Sequence, residues 1–314
     1  MTSSNQPLRV LVTGATGNLA RRFITELREY GLRGRACRFV LTDLQAGLDA
    51  GADEFVAADL ADAGGLRRLV AAHRPDVIAH FGSLLSGACE QNLERAWQIN
   101  GTASLTLLES AADLPGCVFF FPSTGATYGP GSPDPLPEDA PQWPLNFYGV
   151  VKVAIERAGV YLHGKRGLDF RCLRFPMVLS PSAPATAVSA YASRAFVEAR
   201  SARPFVFPVS PDTGISTIYV KDVITGIRRL LEAPRARLNR SVYNVHAFAP
   251  TAADIAAAIR CHVPGFTSTF KPDPFVDGLL RAWPRVHRDD SARADWSWAP
   301  RYDLAATAAD LLGT

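Results

Sequence analysis

Leu8-Arg-Val-Leu-Val-Thr-Gly-Ala-Thr-Gly-Asn-Leu-Ala20 decides the fold of this chain. Leu8 to Thr13 is a short β-branched run that reads as a strand ending at Gly14, and a helical stretch follows from Asn18 to Tyr30. Gly14 permits the tight turn between them. Gly17 lets the backbone approach a diphosphate at the helix N-terminus, and Ala20 is small where helix and sheet pack closely. A glycine-containing turn is the plain alternative, but the position directly after the first strand favours a dinucleotide site. Asp43 ends the second strand candidate, Phe39-Val-Leu-Thr-Asp. A carboxylate there accepts hydrogen bonds from a ribose diol and repels a 2′-phosphate, which points to NAD as cofactor.

Working outward, strands and helices keep alternating. Glu54 to Asp59 is a third strand candidate, Leu66 to His73 a helix and Pro75 to His80 a fourth strand. A long helix is expected over Glu90 to Ala112, with Leu93, Trp97, Leu105 and Leu108 as its apolar stripe. Cys117-Val-Phe-Phe-Phe-Pro suits a central parallel strand, Gly149 to His163 a helix, and Phe170 to Pro176 a further strand. This alternation is the signature of an α/β fold built on a doubly wound parallel sheet. Residues 180–187 are crowded with Pro, Ser and Ala, and Ile215 to Val223 and Val242 to Val245 read as short strands. The boundaries expected are 1–175 for the dinucleotide-binding domain and 176–314 for a smaller, interleaved C-terminal substrate lobe. Segments near 215–245 return to the sheet.

Composition excludes several classes. The 314 residues are 47% apolar and 20% charged, with a net charge of +3 spread along the chain. Short Arg-rich stretches such as Arg33 to Arg38 are solvated faces, so nucleic acid is not an expected partner. Five widely spaced cysteines without a Cys-x-x-Cys pair suggest neither a disulfide framework nor a metal site. No apolar run is long enough for a membrane span and no signal peptide is visible, so a cytoplasmic protein is expected.

Tyr148 and Lys152 stand four residues apart in Phe147-Tyr-Gly-Val-Val-Lys-Val, downstream of Pro122-Ser-Thr-Gly. Four residues is about one helical turn, so phenol and ammonium share a face. The ammonium is expected to lower the phenol's pKa, and a hydroxyl from Ser123 or Thr124 to hold a substrate oxygen against it. Tyr-x-x-x-Lys by itself is common on solvated helices; the dinucleotide signature upstream gives it weight. After the fourth strand, Gly82 lets the backbone run beside a cofactor, with Ser83, Leu84 and Ser86 near its nicotinamide end. Asp59 and Leu60 flank the adenine, a helix N-cap being the alternative for Asp59. His80 ends an apolar strand and reads as a satisfied core histidine.

Together these residues resemble the extended short-chain dehydrogenase/reductase superfamily, with its Rossmann domain. The resemblance makes Thr124, Tyr148 and Lys152 the catalytic residues. It places Gly14, Thr16, Gly17, Asn18, Leu19, Asp43, Asp59, Leu60, Phe81, Gly82, Ser83, Tyr148 and Lys152 at NAD, and gives Asp222 a structural role. Within the superfamily the chain looks most like short-chain-type NAD-dependent L-threonine 3-dehydrogenases. Leu84 to Asn92 with Ala96, Trp97 and Asn100 carries that likeness, as do Phe266 to Asp273, Ala282-Trp-Pro, Asp289 to Trp298 and Tyr302-Asp-Leu. Departures gather where substrate would sit. Leu145-Asn146-Phe147 replaces Ser-Thr-Val, Met177 replaces a glycine, and Val188-Ser-Ala-Tyr191 lacks the acidic residue of Thr-Thr-Asp-Tyr. Residues 184–213 look more like erythronate-type sugar-acid dehydrogenases of the same superfamily.

The expected activity is therefore NAD-dependent oxidation of a secondary alcohol in a small β-hydroxy amino acid or hydroxy acid. Ser86, Ser123, Asn146 and Ser189 are the candidate substrate contacts, each with an ordinary loop hydrogen bond as its alternative. A nucleotide-sugar or polyol epimerase or dehydratase that retains its NAD is the rival activity. A homodimer is expected, because the 90–112 and 149–163 helices carry more apolar residues than one sheet-facing stripe requires.

Overall fold

The computed structural model describes residues 6–45, 51, 53–182 and 188–313; the Pro/Ser/Ala-rich stretch lies partly outside them. Along the chain the first elements are β1 (Leu8–Thr13), α1 (Asn18–Tyr30), β2 (Cys37–Asp43), β3 (Glu54–Ala57), α2 (Ala63–His73) and β4 (Val77–His80). They are followed by α3 (Ser86–Gln91), α4 (Leu93–Ala96), a π-helical turn (Trp97–Thr102), α5 (Ala103–Ala112), β5 (Val118–Thr124) and α6 (Phe147–Arg166). Then come β6 (Asp169–Phe175), β7 (Met177–Leu179), α7 (Tyr191–Arg200), β8 (Phe205–Phe207), β9 (Thr217–Tyr219) and α8 (Val220–Glu232). The last are β10 (Val242–Asn244), α9 (Ala252–His262), β11 (Ser268–Phe270), α10 (Pro274–Arg281), α11 (Asp290–Trp296) and α12 (Leu304–Leu312).

The chain divides into two compact units, each made of three segments. The first comprises 1–123, 146–174 and 224–243; the second comprises 124–145, 175–223 and 244–314. Residues 124–145, assigned by sequence to the dinucleotide domain, thus cluster with the later residues.

The first unit is built on a seven-stranded sheet of order β10-β6-β5-β4-β1-β2-β3. β1 pairs in parallel with β2 and β4, β2 with β3, and β4 with β5. Burial follows position: β4 at the centre is buried at every residue, whereas β3 at the edge is half-exposed. The strand order reverses between β1 and β4, and such a reversal leaves a crevice at the carboxyl ends of those strands. Both glycine turns, after β1 and after β4, stand at this point. α1 turns Ala20, Phe23, Ile24 and Leu27 to the sheet, an i, i+3, i+4, i+7 stripe. Leu107, Phe119, Val151, Ile155 and Phe170 contribute to the shared core.

The helix expected over 90–112 is interrupted. It breaks at Asn92, whose side chain caps α4 by accepting from Arg95 N, and passes through the π-helical turn before α5. π turns are local defects that a periodicity reading does not detect.

The second unit contains two parallel strand pairs, β7 with β9 and β8 with β11. The strand expected over 215–223 covers only Thr217–Tyr219 before α8 begins. Asp222 is buried and accepts from the backbone N–H groups of Arg301 and Tyr302, each at 3.0 Å. That is a structural role. Trp296 and Trp298 are buried against each other, and the Trp298 indole donates to Asp289 at 2.8 Å.

Candidate active site

Gly14 has φ +64, a left-handed conformation that glycine adopts without strain. A Cβ on Gly14 would lie 2.6 Å from the Gly82 backbone, and one on Gly82 would lie 2.6 Å from Leu60 Cδ1. The two turns therefore nest backbone to backbone with Leu60 packed over them. Gly17 is the N-cap of α1 and supplies no side-chain acceptor. The first amides of that helix consequently lack the side-chain partner that most N-caps provide, as an anion-binding helix terminus requires.

Asp43, half-buried at the end of β2, accepts from Thr16 N at 3.1 Å, Thr16 Oγ1 at 2.6 Å and Leu44 N at 2.8 Å. The carboxylate is thus oriented before any ligand arrives, and each oxygen can accept further bonds. This set of an open helix terminus, a glycine cradle and an oriented carboxylate fits an NAD diphosphate and ribose. Asn18 is exposed and accepts from Arg22, while Leu19 is half-buried beside it. The Phe81 ring is half-buried and packs against Phe23 and Phe120. Asp59 is not a helix N-cap, since Asp62 caps α2; it accepts from Ala61 N at 2.8 Å and pairs with Arg95 at 3.6 Å.

Beneath the β4 turn, His80 is buried between Thr13 Oγ1 at 2.6 Å and Ser104 Oγ at 2.8 Å. Ser104 donates to Asn100 O at 2.5 Å, so its oxygen accepts from His80 Nε2, and Nδ1 accepts from Thr13. Burial holds the imidazole neutral, with its pKa down at about 3. Asn100, in the π turn, grips Leu84 twice: Oδ1 accepts from Leu84 N at 2.7 Å and Nδ2 donates to Leu84 O at 2.9 Å. This network fixes the loop that carries Ser83 and Ser86. Ser83 donates to the neighbouring Leu84 carbonyl, and Ser86 opens α3.

α6 carries both Tyr148 and Lys152. Asn146 caps it, its side chain accepting from Gly149 N at 2.7 Å, which engages the oxygen of a residue expected at substrate. Lys152 is buried; Nζ donates to Pro122 O at 2.8 Å and lies 4.3 Å from the Phe121 ring centroid and 5.4 Å from that of Tyr148. Burial pulls this ammonium down to about 8. The expected lowering of the Tyr148 phenol is not what the geometry produces: burial pushes it above its ordinary value. Desolvation outweighs the nearby cation because the Lys152 donor is directed to a carbonyl and its charge lies over ring faces.

At the end of β5, Ser123 donates to Glu156, so its hydroxyl is committed to the interior. Thr124, the next residue and the last of β5, accepts from Ala126 N at 3.1 Å, which leaves its hydroxyl proton free to donate. In the second unit, Ser189 is half-buried in a 3₁₀ turn, and Met177 and Ala190 are buried. Tyr191 is buried with its hydroxyl unpartnered, edge-on to Phe207. Sequence reasoning missed Glu156, and it used Asn100 only as part of the family likeness without giving it a role. Glu156 lay within reach, as a carboxylate one turn past Lys152 on the same face; the paired grip of Asn100 on Leu84 depends on the π turn and left no signal.

The pattern of the NAD dependent epimerase/dehydratase family matches residues 10–245. The chain belongs to that family. The mitochondrial L-threonine 3-dehydrogenase of Sus scrofa is 33% identical over 305 residues, covering 96% of this chain and 80% of that protein. The crystal structure of L-threonine dehydrogenase from Phytophthora infestans superposes with a TM-score of 0.89 at 32% identity, covering 97% of this chain and 98% of that one. The holo form of the L-threonine dehydrogenase from Cupriavidus necator gives 0.89 at 29% identity, covering 97% and 99%. This epimerase/dehydratase-family chain is thus an extended short-chain dehydrogenase/reductase with a Rossmann fold, and its relatives support an NAD-dependent enzyme acting on a CH–OH group.

Proposed function

We propose that the chain oxidises the secondary hydroxyl of a small β-hydroxy amino acid, L-threonine or a close analogue, with NAD released as NADH at each turnover. The observation that carries this reading is the joining of α6 to the end of β5: Lys152 reaches the Pro122 carbonyl and underlies the Tyr148 ring. Thr124 follows two residues later on the same strand end. NAD, when bound, supplies the hydride acceptor. Gly14, Gly17 and the α1 amides hold its diphosphate and Asp43 its adenine ribose. Asp59 and Leu60 border the adenine. Thr124 donates to the substrate oxygen, and Tyr148 as phenolate takes the hydroxyl proton. Lys152 stabilises that phenolate and reaches the nicotinamide ribose with its remaining donors. Because burial disfavours the phenolate, oxidation speeds up as pH rises, while the reverse reduction finds its proton donor already in place.

Ser86, Asn146 and Ser189 remain our candidates for substrate contact, Asn146 through its amide N–H₂. Ser123 is replaced in that role by Thr124, since its hydroxyl faces Glu156. Incubating the protein and NAD with L-threonine, other β-hydroxy amino acids and hydroxy acids, and reading NADH, tests the proposal. Product formed without net NADH would favour an NAD-retaining epimerase or dehydratase, the reading supported by the family's name and by a relative named as an uncharacterized epimerase/dehydratase in Staphylococcus saprophyticus.

We place the protein in the cytoplasm as a homodimer. Free cysteines fit a reducing compartment. Leu93, Trp97, Leu105, Val150, Val160 and Tyr161 are exposed on neighbouring helices of the first unit, an apolar surface that a second copy would cover. Sedimentation of the purified protein as a monomer would remove that assignment. No described helix is long and apolar enough to cross a membrane.

A further inference from the structure

Glu156 is fully buried one helical turn beyond Lys152, and the proposed chemistry gives it nothing to do. Arg174 on β6, itself buried, donates from Nε to both carboxylate oxygens at 3.0 Å and from Nη2 to Oε2 at 2.7 Å. Ser123 on β5 donates to Oε1. The residue before it, Pro122, offers the carbonyl that receives Lys152 Nζ. Glu156 therefore grips β5 one residue from the point where β5 grips the lysine. Stability alone explains this cluster poorly, because a buried ion pair contributes little over apolar residues of the same volume.

We propose that Glu156 is a positioning residue for Lys152: anchored by Arg174 and Ser123, it fixes the end of β5 and supplies the negative charge that lets the buried lysine remain a cation. The proposal rests on reading Tyr148 and Lys152 as the active site. The groups facing Lys152 are Tyr148 and Glu156 on its own helix, Cys172 on β6, Cys89 on α3 and His80 on β4. Burial raises both thiols and the phenol and lowers the imidazole, so all four are neutral at neutral pH. Glu156, with its forked guanidinium partner, is the charged group that remains. The same cluster turns Ser123 inward, and alternation along the strand then turns Thr124 to the opposite face.

The test reads the lysine itself in the apoprotein. The chain has four lysines, Lys152, Lys165, Lys221 and Lys271. NMR titration of lysine labelled at Cε resolves each, and the resonance absent from Lys152→Arg identifies Lys152. In the wild type it titrates near 8. In Glu156→Gln it moves to lower pH by about one unit, and Glu156→Asp returns it towards the wild-type value. Should Glu156→Gln fail to fold, Glu156→Met/Arg174→Met leaves no unpaired buried charge and must again titrate below wild type. A wild-type titration in folded Glu156→Gln, or in the double variant, overturns the proposal. If Tyr148→Phe and Lys152→Arg abolish turnover in that case, the active-site reading survives without it. If Tyr148→Phe instead retains turnover, the active-site reading fails, and the Lys152 titration still decides whether Glu156 supports the cation.

Discussion

The glycine turns and the lysine centre, both in the first unit, are built by opposite means. Around Gly14 and Gly82 side chains are removed until two backbones touch, and an accessible carboxylate, Asp43, is already oriented by Thr16. Around Lys152 side chains are packed in until an ammonium is almost out of water, held by one carbonyl, aromatic faces and a buried carboxylate nearby. The first region is defined by shape and should be intolerant of added atoms. The second is defined by charge and should tolerate changes of shape better than changes of protonation. On the proposed reading, binding and chemistry are thereby placed under different physical control.

The largest expected effect is at the charged region. Lys152→Met removes the ammonium while filling the same space, and turnover should fall by about 10²–10⁴-fold, measured as kcat/KM for NADH production. Stability should move the other way. The folded-state pKa of Lys152, about 8, lies below its ordinary 10.5, so the folded protein binds fewer protons between those values and wild-type stability rises with pH across that window. Below pH 8 the full penalty applies. Lys152→Met should therefore gain up to about 3 kcal/mol at neutral pH, a gain that shrinks as pH climbs from 8 to 10.5 in denaturant titrations. A Lys152→Met protein less stable than wild type at neutral pH would show that the ammonium is not under strain.

At the shape-defined region, Gly14→Ala forces a Cβ against the Gly82 backbone at a positive φ. It should cost about 1–3 kcal/mol of stability and abolish measurable NAD binding by calorimetry. Unchanged NAD affinity would break the comparison. A smaller effect is expected for Asp43→Asn, which keeps the shape and removes the charge. NAD affinity should fall about ten- to hundredfold and discrimination against NADP should narrow, with the fold intact. The smallest effect is at Asn146→Ala, where loss of the α6 cap should cost about 1 kcal/mol in thermal unfolding.

The same contrast explains what could be read from the amino-acid sequence. Gly14, Gly17 and Asp43 were legible because a tight turn and a strand-end carboxylate are local requirements, and α1 begins and ends where its pattern predicts. Tyr148 and Lys152 were legible as a pair for the same reason. Their electrostatics were not, because burial is set by β4, β5 and β6, which reach the site from distant segments; the expected fall in the phenol pKa became a rise. Ser123 and Thr124 are adjacent, and only the position of Glu156 distinguishes the inward hydroxyl from the one left free. The 90–112 helix was read without its π turn, since apolar periodicity survives one extra residue in a turn. Met177 and Tyr191 are buried side chains whose neighbours come from β9 and β8, so their surroundings were not written in the local sequence.

The central claim is that Tyr148 moves the proton while hydride leaves for NAD. It is tested most directly by NADH production from L-threonine and its analogues, comparing wild type with Tyr148→Phe over a pH series. The account predicts that the wild-type rate rises with pH and that Tyr148→Phe loses it by about 10²–10⁴-fold with NAD affinity retained. Tyr148→Phe turnover near the wild-type rate would contradict it.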